Sequence, residues 1–272
     1  MKKIIAMLIF NFALVLALSS SANSAMPLQR ILREAENLSL NHDRILASNV
    51  LQRNLKKAST ADTPVLREKL LQLSKLFYTD EGFRAHLSGK ELFAQQKYAD
   101  ALEKFQEADE LEKGNTDVLH MLIISQVQLK KTALALVEHK RAIQMCPIDI
   151  ELQKDYLMIL VAQEKWKEAI EQADLLAKEY NDTSTQTQKD RGHALYELTL
   201  KHDAKKAFEG AVHKDPRFPE PYYYLSLIKE KIEAQKLLTK YVNLCKDKSS
   251  MKYERELNLC SKQLEAEKRL AP

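Results

Sequence analysis

Lys97-Tyr98-Ala99-Asp100-Ala101-Leu102 returns 34 residues later as Lys131-Thr132-Ala133-Leu134-Ala135-Leu136, and 34 after that as Lys165-Trp166-Lys167-Glu168-Ala169-Ile170. Ala108 and Ala142 repeat at the same interval. Small residues at a constant interval of this length mark stacked supersecondary units rather than one core of non-repeating order. Between them the chain is filled with Leu, Ala, Glu, Lys and Gln, which all favour helix. Only 5 Gly and 7 Pro occur in 272 residues. That is poor material for the tight turns and phosphate-cradling loops of an α/β enzyme. The expected class is all-α.

These residues resemble the tetratricopeptide repeat, a helix–turn–helix unit of this length. Its pattern sets a small residue in the first helix, an aromatic before the second, then Ala, a bulky residue, Ala and Pro. The first unit has Gly89, Tyr98, Ala101, Phe105 and Ala108, with Lys113 where Pro is usual. The second has Leu122, Ala135, Ala142 and Pro147, and departs from the pattern with His139 at the bulky position. The third has Trp166 and Ala169, but Leu176 replaces the later Ala. The fourth has Gly192, Ala204, Phe208, Ala211 and Pro216, displaced by one residue, which the polar stretch Asn181 to Gln188 absorbs. A shortened fifth unit begins at Pro221 with Tyr222, Tyr223 and Leu225 and runs through Ala234. The resemblance covers residues 82–245 and implies a right-handed α-solenoid, because one unit cannot bury its apolar face alone.

In this family the first helices of successive units line a concave face, with positions two, five, nine and twelve pointing inward. Position five corresponds to His86, His120, Lys154 and Lys189, and Tyr223 extends that row into the fifth unit. Position nine corresponds to Lys90, Ile124, Met158 and His193, and position twelve to Phe93, Val127, Val161 and Tyr196. The resemblance therefore implies a groove with an apolar stripe beside a basic row. Such a groove suits a protein or peptide segment with apolar anchors and acidic character, bound as a helix or in extended form. The competing reading is that these residues only cover the inner surface or touch the chain's own ends. Some family members clamp a C-terminal carboxylate with Lys and Asn. Here those positions hold His86, Lys90, Met121, Glu151 and Asp155, and the acidic pair argues against that clamp. His86 and His120 hold the same place in adjacent units, where a shared metal or pH sensing is weighed against ordinary hydrated side chains.

Outside the repeats, Asp43 is expected to cap a helix to Lys57 with Ile45, Leu46, Val50 and Leu55 on one face. Thr63-Pro64 opens another through Phe77. Residues 26–81 then form a helical cap, a degenerate repeat or an oligomerisation segment, of which the cap is favoured because no heptad is sustained. Residues 246–272 are expected to be a C-terminal cover, with one charged helix from Ser250 to Leu270. Of the three cysteines, Cys245 and Cys260 are candidates for a bridge and Cys146 is left over. A turn near Lys248 to Ser250 would offset opposed helices and set Cys245 and Cys260 too far apart, so the sequence leans against the bridge.

The first 25 residues read as a secretory signal peptide. Lys2 and Lys3 precede an apolar run, Ile4 to Leu18, and a small-residue stretch, Ser19 to Ala25, permits cleavage after Ala22 or Ala25. The run is short for an uncleaved anchor, and no Cys follows it to carry a lipid. A bacterial periplasm is the expected location. The formal net charge of +4 includes Lys2 and Lys3 and does not argue for nucleic acid. The chain has no Gly-rich phosphate loop, no His-Glu-x-x-His, no Gly-x-Ser-x-Gly and no Cys-x-x-Cys. No cofactor, metal or catalytic residue is assigned. The expected function is a periplasmic protein–protein adaptor or scaffold for an envelope or secretion complex. The alternatives are an escort for exported polypeptides and, from another class, an enzyme with an unrecognised site.

Overall fold

The computed structural model describes residues 27–247 and 260–271. The expected signal peptide lies outside them. Among the described residues there are fourteen helices and no strand. The chain divides into two compact units, Met1–Ser74 and Lys75–Pro272.

The first unit holds α1 (Leu28–Leu40), α2 (Arg44–Leu55) and most of α3 (Thr63–Lys75). Asp43 caps α2, its carboxylate accepting from the Leu46 N–H at 3.1 Å. The expected apolar face of α2 is wrong in part. Ile45 and Leu46 are exposed, while Ala47, Val50 and Leu51 are buried. The α1–α2 turn passes through His42 at φ 62, with His42 N–H donating to Ser39 O and Asp43 N–H to Leu38 O. Ala35, Ala47 and Leu51, each 0 % exposed, reproduce the small–Ala–bulky order of the repeats. The α1–α2 pair thus has the residue order of a degenerate repeat, one of the options that the sequence left open. Pro64 opens α3, which stops two residues short of the expected Phe77.

The second unit contains five helix pairs: α4 (Asp80–Ala94) with α5 (Tyr98–Leu111), α6 (Thr116–Gln128) with α7 (Thr132–Met145), α8 (Ile150–Ala162) with α9 (Trp166–Glu179), α10 (Thr185–Glu197) with α11 (Lys201–Lys214), and α12 (Glu220–Ile228) with α13 (Lys231–Lys246). A short α14 (Gln263–Leu270) follows. Each helix packs on its neighbour in sequence. The first helices also touch one another, α4 with α6, α6 with α8, α8 with α10, and α10 with α12. This makes the first helices the inner row of the solenoid. Nine of the thirteen residues of α6 are consequently buried.

Within the first four pairs the turn has one recurring chemistry. Gln96, Lys130, Glu164 and Thr199 all have positive φ, 57–62°. The next N–H reaches back each time, from Lys97 to Leu92 O, Lys131 to Gln126 O, Lys165 to Leu160 O and Leu200 to Leu195 O. These paired bonds satisfy the carbonyls that a helix end leaves open, as in a Schellman cap. None of the four residues is Gly, so each turn carries left-handed backbone strain.

Helix packing inside each pair rests on complementary volumes. A Cβ on Gly89 would lie 2.5 Å from the Phe105 ring, and one on Gly192 2.7 Å from the Phe208 ring. In the second pair the corresponding positions hold Ile123, one residue beyond the Leu122 expected there, and His139, and in the third Leu157 and Ala173, all buried. In the third pair the first helix gains bulk and the second gives it up, so the space between them stays filled.

Polar contacts tie the start of the first repeat to its own end and to the repeats that follow. Glu112, 1 % exposed, accepts from the N–H groups of Tyr78 and Thr79 and from the Thr79 hydroxyl at 2.7–3.0 Å. It caps the start of α4 from the end of α5. The Asn115 amide donates to Lys75 O and Leu76 O, while its oxygen caps α6 at Asp117 and Val118. Lys75 also pairs with buried Asp149 at 2.9 Å. These contacts explain why residues 75–81 belong with the repeats, and the boundary expected after residue 81 falls at Ser74.

Two expectations at the C-terminal end are corrected. Residues 250–259 of the expected helix Ser250–Leu270 lie outside the described residues. Cys260 to Lys262 form a turn, and α14 starts only at Gln263. That turn brings Cys260 to 5.6 Å from Cys245, Cα to Cα, and the two are disulfide-bonded. The offset argument assumed a helix running through Cys260, and it fails for that reason. Cys146 is a buried cysteine outside the bridge.

Candidate protein-binding face

The inner helices carry every residue expected to line the groove, but the structure treats the three rows differently. In the position-five row, His86 is 6 % exposed, its ring 5.1 Å from Phe77 and 5.8 Å from Phe105. His120 Nδ1 lies 2.8 Å from Oδ2 of Asp155, which is fully buried. Lys154 Nζ lies 3.1 Å from Glu151 and 3.6 Å from Asp182. Lys189 Nζ lies 2.7 Å from Asp190 and 3.4 Å from Glu220. The Tyr223 hydroxyl donates to Glu265 Oε1 at 2.7 Å.

A ladder results. His120, Lys154, Lys189 and Tyr223 each meet an acid from the next inner helix or its leading turn: Asp155, Asp182, Glu220 and Glu265. This alters the charge argument. The row expected to present basic charge to a partner is paired inside the chain, where nearby acids offset that charge. Burial pushes the Glu220 carboxyl up, and Lys189 pulls it back. Glu265 takes the same part toward Tyr223 that the earlier acids take toward their bases, so α14 continues the inner row.

The position-nine row is mixed. Ile124 is 0 % exposed and belongs to the core, so it cannot touch a ligand. Lys90 and Met158 are half-buried. His193 sits between Trp166 and Tyr224, ring centroids 5.3 and 4.8 Å away. Burial, reinforced by Lys189 and Lys262, lowers its pKa to about 4. His193 is therefore a neutral aromatic in this row rather than a cation. At position twelve, Phe93 is buried with its ring 5.2 Å from Tyr98, whereas Val127, Val161 and Tyr196 are half-buried.

Four expected groove residues are thus corrected to core or near-core positions: His86, Phe93, Ile124 and Tyr223, each 6 % exposed or less. The cause is packing on neighbouring elements, which covers side chains that the repeat pattern alone would point outward: His86 meets Phe77 and Phe105, Phe93 meets Tyr98, and Tyr223 meets Tyr241 and Glu265. What stays accessible is an apolar stripe of Val127, Met158, Val161 and Tyr196, flanked by Lys90 and His193. The sequence did not reveal the ladder, because its acids do not share one repeat position.

The expected argument against a carboxylate clamp has a structural counterpart. Asp155 is bound to His120, and Met121 is 3 % exposed. Among the described residues no three metal-ligating side chains gather, and no helix is long and apolar enough to cross a membrane.

No family model matches the chain, and no curated protein matches it. Among solved structures, the chain is similar to TTC0263, described as a thermophilic TPR protein in Thermus thermophilus. The likeness has 18 % identity and a TM-score of 0.57, over 68 % of this chain and 98 % of that one. It also resembles MamA, residues 41 to the end, from Desulfovibrio magneticus RS-1. That match has 14 % identity and a TM-score of 0.47, over 64 % of this chain and 99 % of that one. Repeat pattern, paired helices and likeness to TTC0263 converge on one conclusion: this chain has the tetratricopeptide-repeat fold, an all-α solenoid of stacked helix pairs.

Proposed function

We propose that the repeats form a protein–protein interaction adaptor or scaffold that holds a peptide segment of another protein along the inner helices. The observation that carries this reading is the accessible stripe Val127, Met158, Val161 and Tyr196, set on a rigid row of packed helices. Apolar and aromatic anchors on such a support hold a partner helix or strand at low ordering cost. The internal pairing of Lys154 and Lys189 weakens the case for an acidic partner and favours one chosen by its apolar side chains.

The setting we propose is a bacterial periplasm, in an envelope or secretion complex. Lys2, Lys3 and the apolar run Ile4 to Leu18 support export. The Cys245–Cys260 bridge supports an oxidising compartment.

The test is in-cell photocrosslinking from Met158, compared with the exposed Leu134 on the second helix of a pair. A scaffold yields a defined envelope protein from Met158 and not from Leu134. Val161→Asp, with the crosslinker kept at position 158, lowers that yield about tenfold or more. Identical products from both positions would overturn the inner-face reading. A smear of many unfolded clients from Met158 would replace a scaffold with an escort.

A further inference from the structure

The last rung of the ladder differs from the others in how it is held. The inner helices α6, α8 and α10 span thirteen residues each and pack on both sides. Helix α14 has eight residues, and a helix of that length is marginal in water without support. Its support is slight. Ala266 is its one buried residue, and Leu270 is partly buried on the cluster around Tyr223, Leu238 and Tyr241. Glu265 accepts from Tyr223, Lys262 N–H donates to the Tyr241 hydroxyl at 3.1 Å, and Lys246 pairs with Glu267. Arg269 also bonds Tyr223, and a further tie is covalent. Cys245 closes the end of α13, and Cys260 opens the turn that leads into α14. Cys245 is 9 % exposed, whereas Cys260 is only partly buried and so offers a sulfur to an incoming thiolate.

We infer that the Cys245–Cys260 bridge is a redox latch on α14. Opening the latch uncovers a second docking face, which accepts an amphipathic helix with an acid in its first turn. The reductant is an external dithiol. Its thiolate attacks Cys260 Sγ, the S–S bond breaks, and Cys245 leaves as a thiolate that takes up a proton. The second thiol of the reagent then displaces Cys260 from the mixed disulfide. Two electrons pass to the protein, which gains two thiols, and the reagent ends as a disulfide. With the bridge open, α14 is joined to α13 only through the backbone of residues 247–259, a longer tether that lowers its local concentration over Tyr223 and Tyr241. The occupant is read from α14 itself: an acid to meet the Tyr223 hydroxyl, and a small residue one position on, as Glu265 and Ala266 supply.

The experiment uses the full chain, oxidised and after dithiothreitol, together with Cys245→Ser as a bridge-free form that needs no reductant. Hydrogen exchange is followed in every helix, and a fluorescent peptide spanning residues 261–271 is titrated against each form. The latch predicts that amides of α14 exchange about tenfold or more faster in the reduced and C245S proteins, with α4 to α11 unchanged. It also predicts that the peptide binds those two forms at least about tenfold tighter than the oxidised one. Equal α14 protection in all forms would overturn it. So would loss of protection through the whole array, which would make the bridge a general staple. Equal peptide binding to every form, or none to any, would overturn the docking face.

Discussion

In the first and fourth repeats of the second unit, a glycine faces a phenylalanine: Gly89 with Phe105 and Gly192 with Phe208. In the third the bulk sits on the other helix, as Leu157 with Ala173, while in the second both positions are bulky, as Ile123 and His139. All four pairs stay buried and all four repeats keep the same turn. The repeat is therefore maintained as a filled space between two helices, and either helix can supply the filling. His139, which looks like a defect beside a consensus written for one residue at a time, is turned to the next repeat, stacked on Tyr156 and 3.1 Å from Leu152 O.

The sharpest way to break the comparison is to empty the fourth repeat. Phe208→Ala should cost about 4 kcal/mol in urea unfolding, because Gly192 cannot fill the void. Adding Gly192→Leu converts the pair to the arrangement of the third repeat and should recover roughly half of that loss, although Gly192→Leu alone costs about 3 kcal/mol. Strict additivity in this double-mutant cycle would show that the two arrangements are not interchangeable.

A second difference lies at position nine, where the second repeat has buried Ile124 and the fourth has His193. The folded pKa of His193, about 4, is below its ordinary value of 6.5. The unfolded chain therefore takes up this proton first as pH falls. Stability is full above pH 6.5, declines toward pH 4, and levels off below it, a contribution of up to about 3 kcal/mol. Glu220, held above the ordinary carboxyl range by burial, acts in the opposite sense, so the wild-type curve mixes the two. Comparing wild type with His193→Phe isolates the histidine, and the variant should lose less stability between pH 6.5 and 4. Parallel curves would place the proton elsewhere.

The smallest effect concerns the turns. Thr199 is β-branched at φ 62, whereas the other three repeats place Gln96, Lys130 and Glu164 there. Thr199→Gly should raise stability by about 1 kcal/mol, and Gln96→Gly by less, since branching at Cβ makes the left-handed region most costly. Thermal unfolding of the two variants tests the ranking.

What the sequence disclosed follows from what a constant interval can carry. Ala101, Ala135 and Ala169 announced their repeats because nothing is inserted between them. The α1–α2 pair has the same order in Ala35, Ala47 and Leu51, but Ala47 precedes Ala101 by 54 residues, which is not a multiple of the interval. The helices of α3 and its flanking loops intervene and hide it. The inner face was legible as a set of positions and illegible as a surface. Whether Ile124 or Val127 meets solvent depends on how closely the next inner helix approaches, and no residue of the unit encodes that distance by itself. The bridge was misjudged for a related reason, since one turn at Cys260 to Lys262 cancels an offset that the helical pattern implied.

The cap that Glu112 places on Tyr78 and Thr79 also sets an order in time. A chain made from its N-terminus presents α4 some 33 residues before the carboxylate that completes it. Until then the first turn of α4 has amides without their partner, and Lys75 waits still longer for Asp149. The start of α4 is thus sealed only by the end of its own pair, and the approach to it only once the next two pairs have begun. A nascent chain halted before Glu112 would leave α4 unsealed, and a pause at that point offers a chaperone or protease its opening.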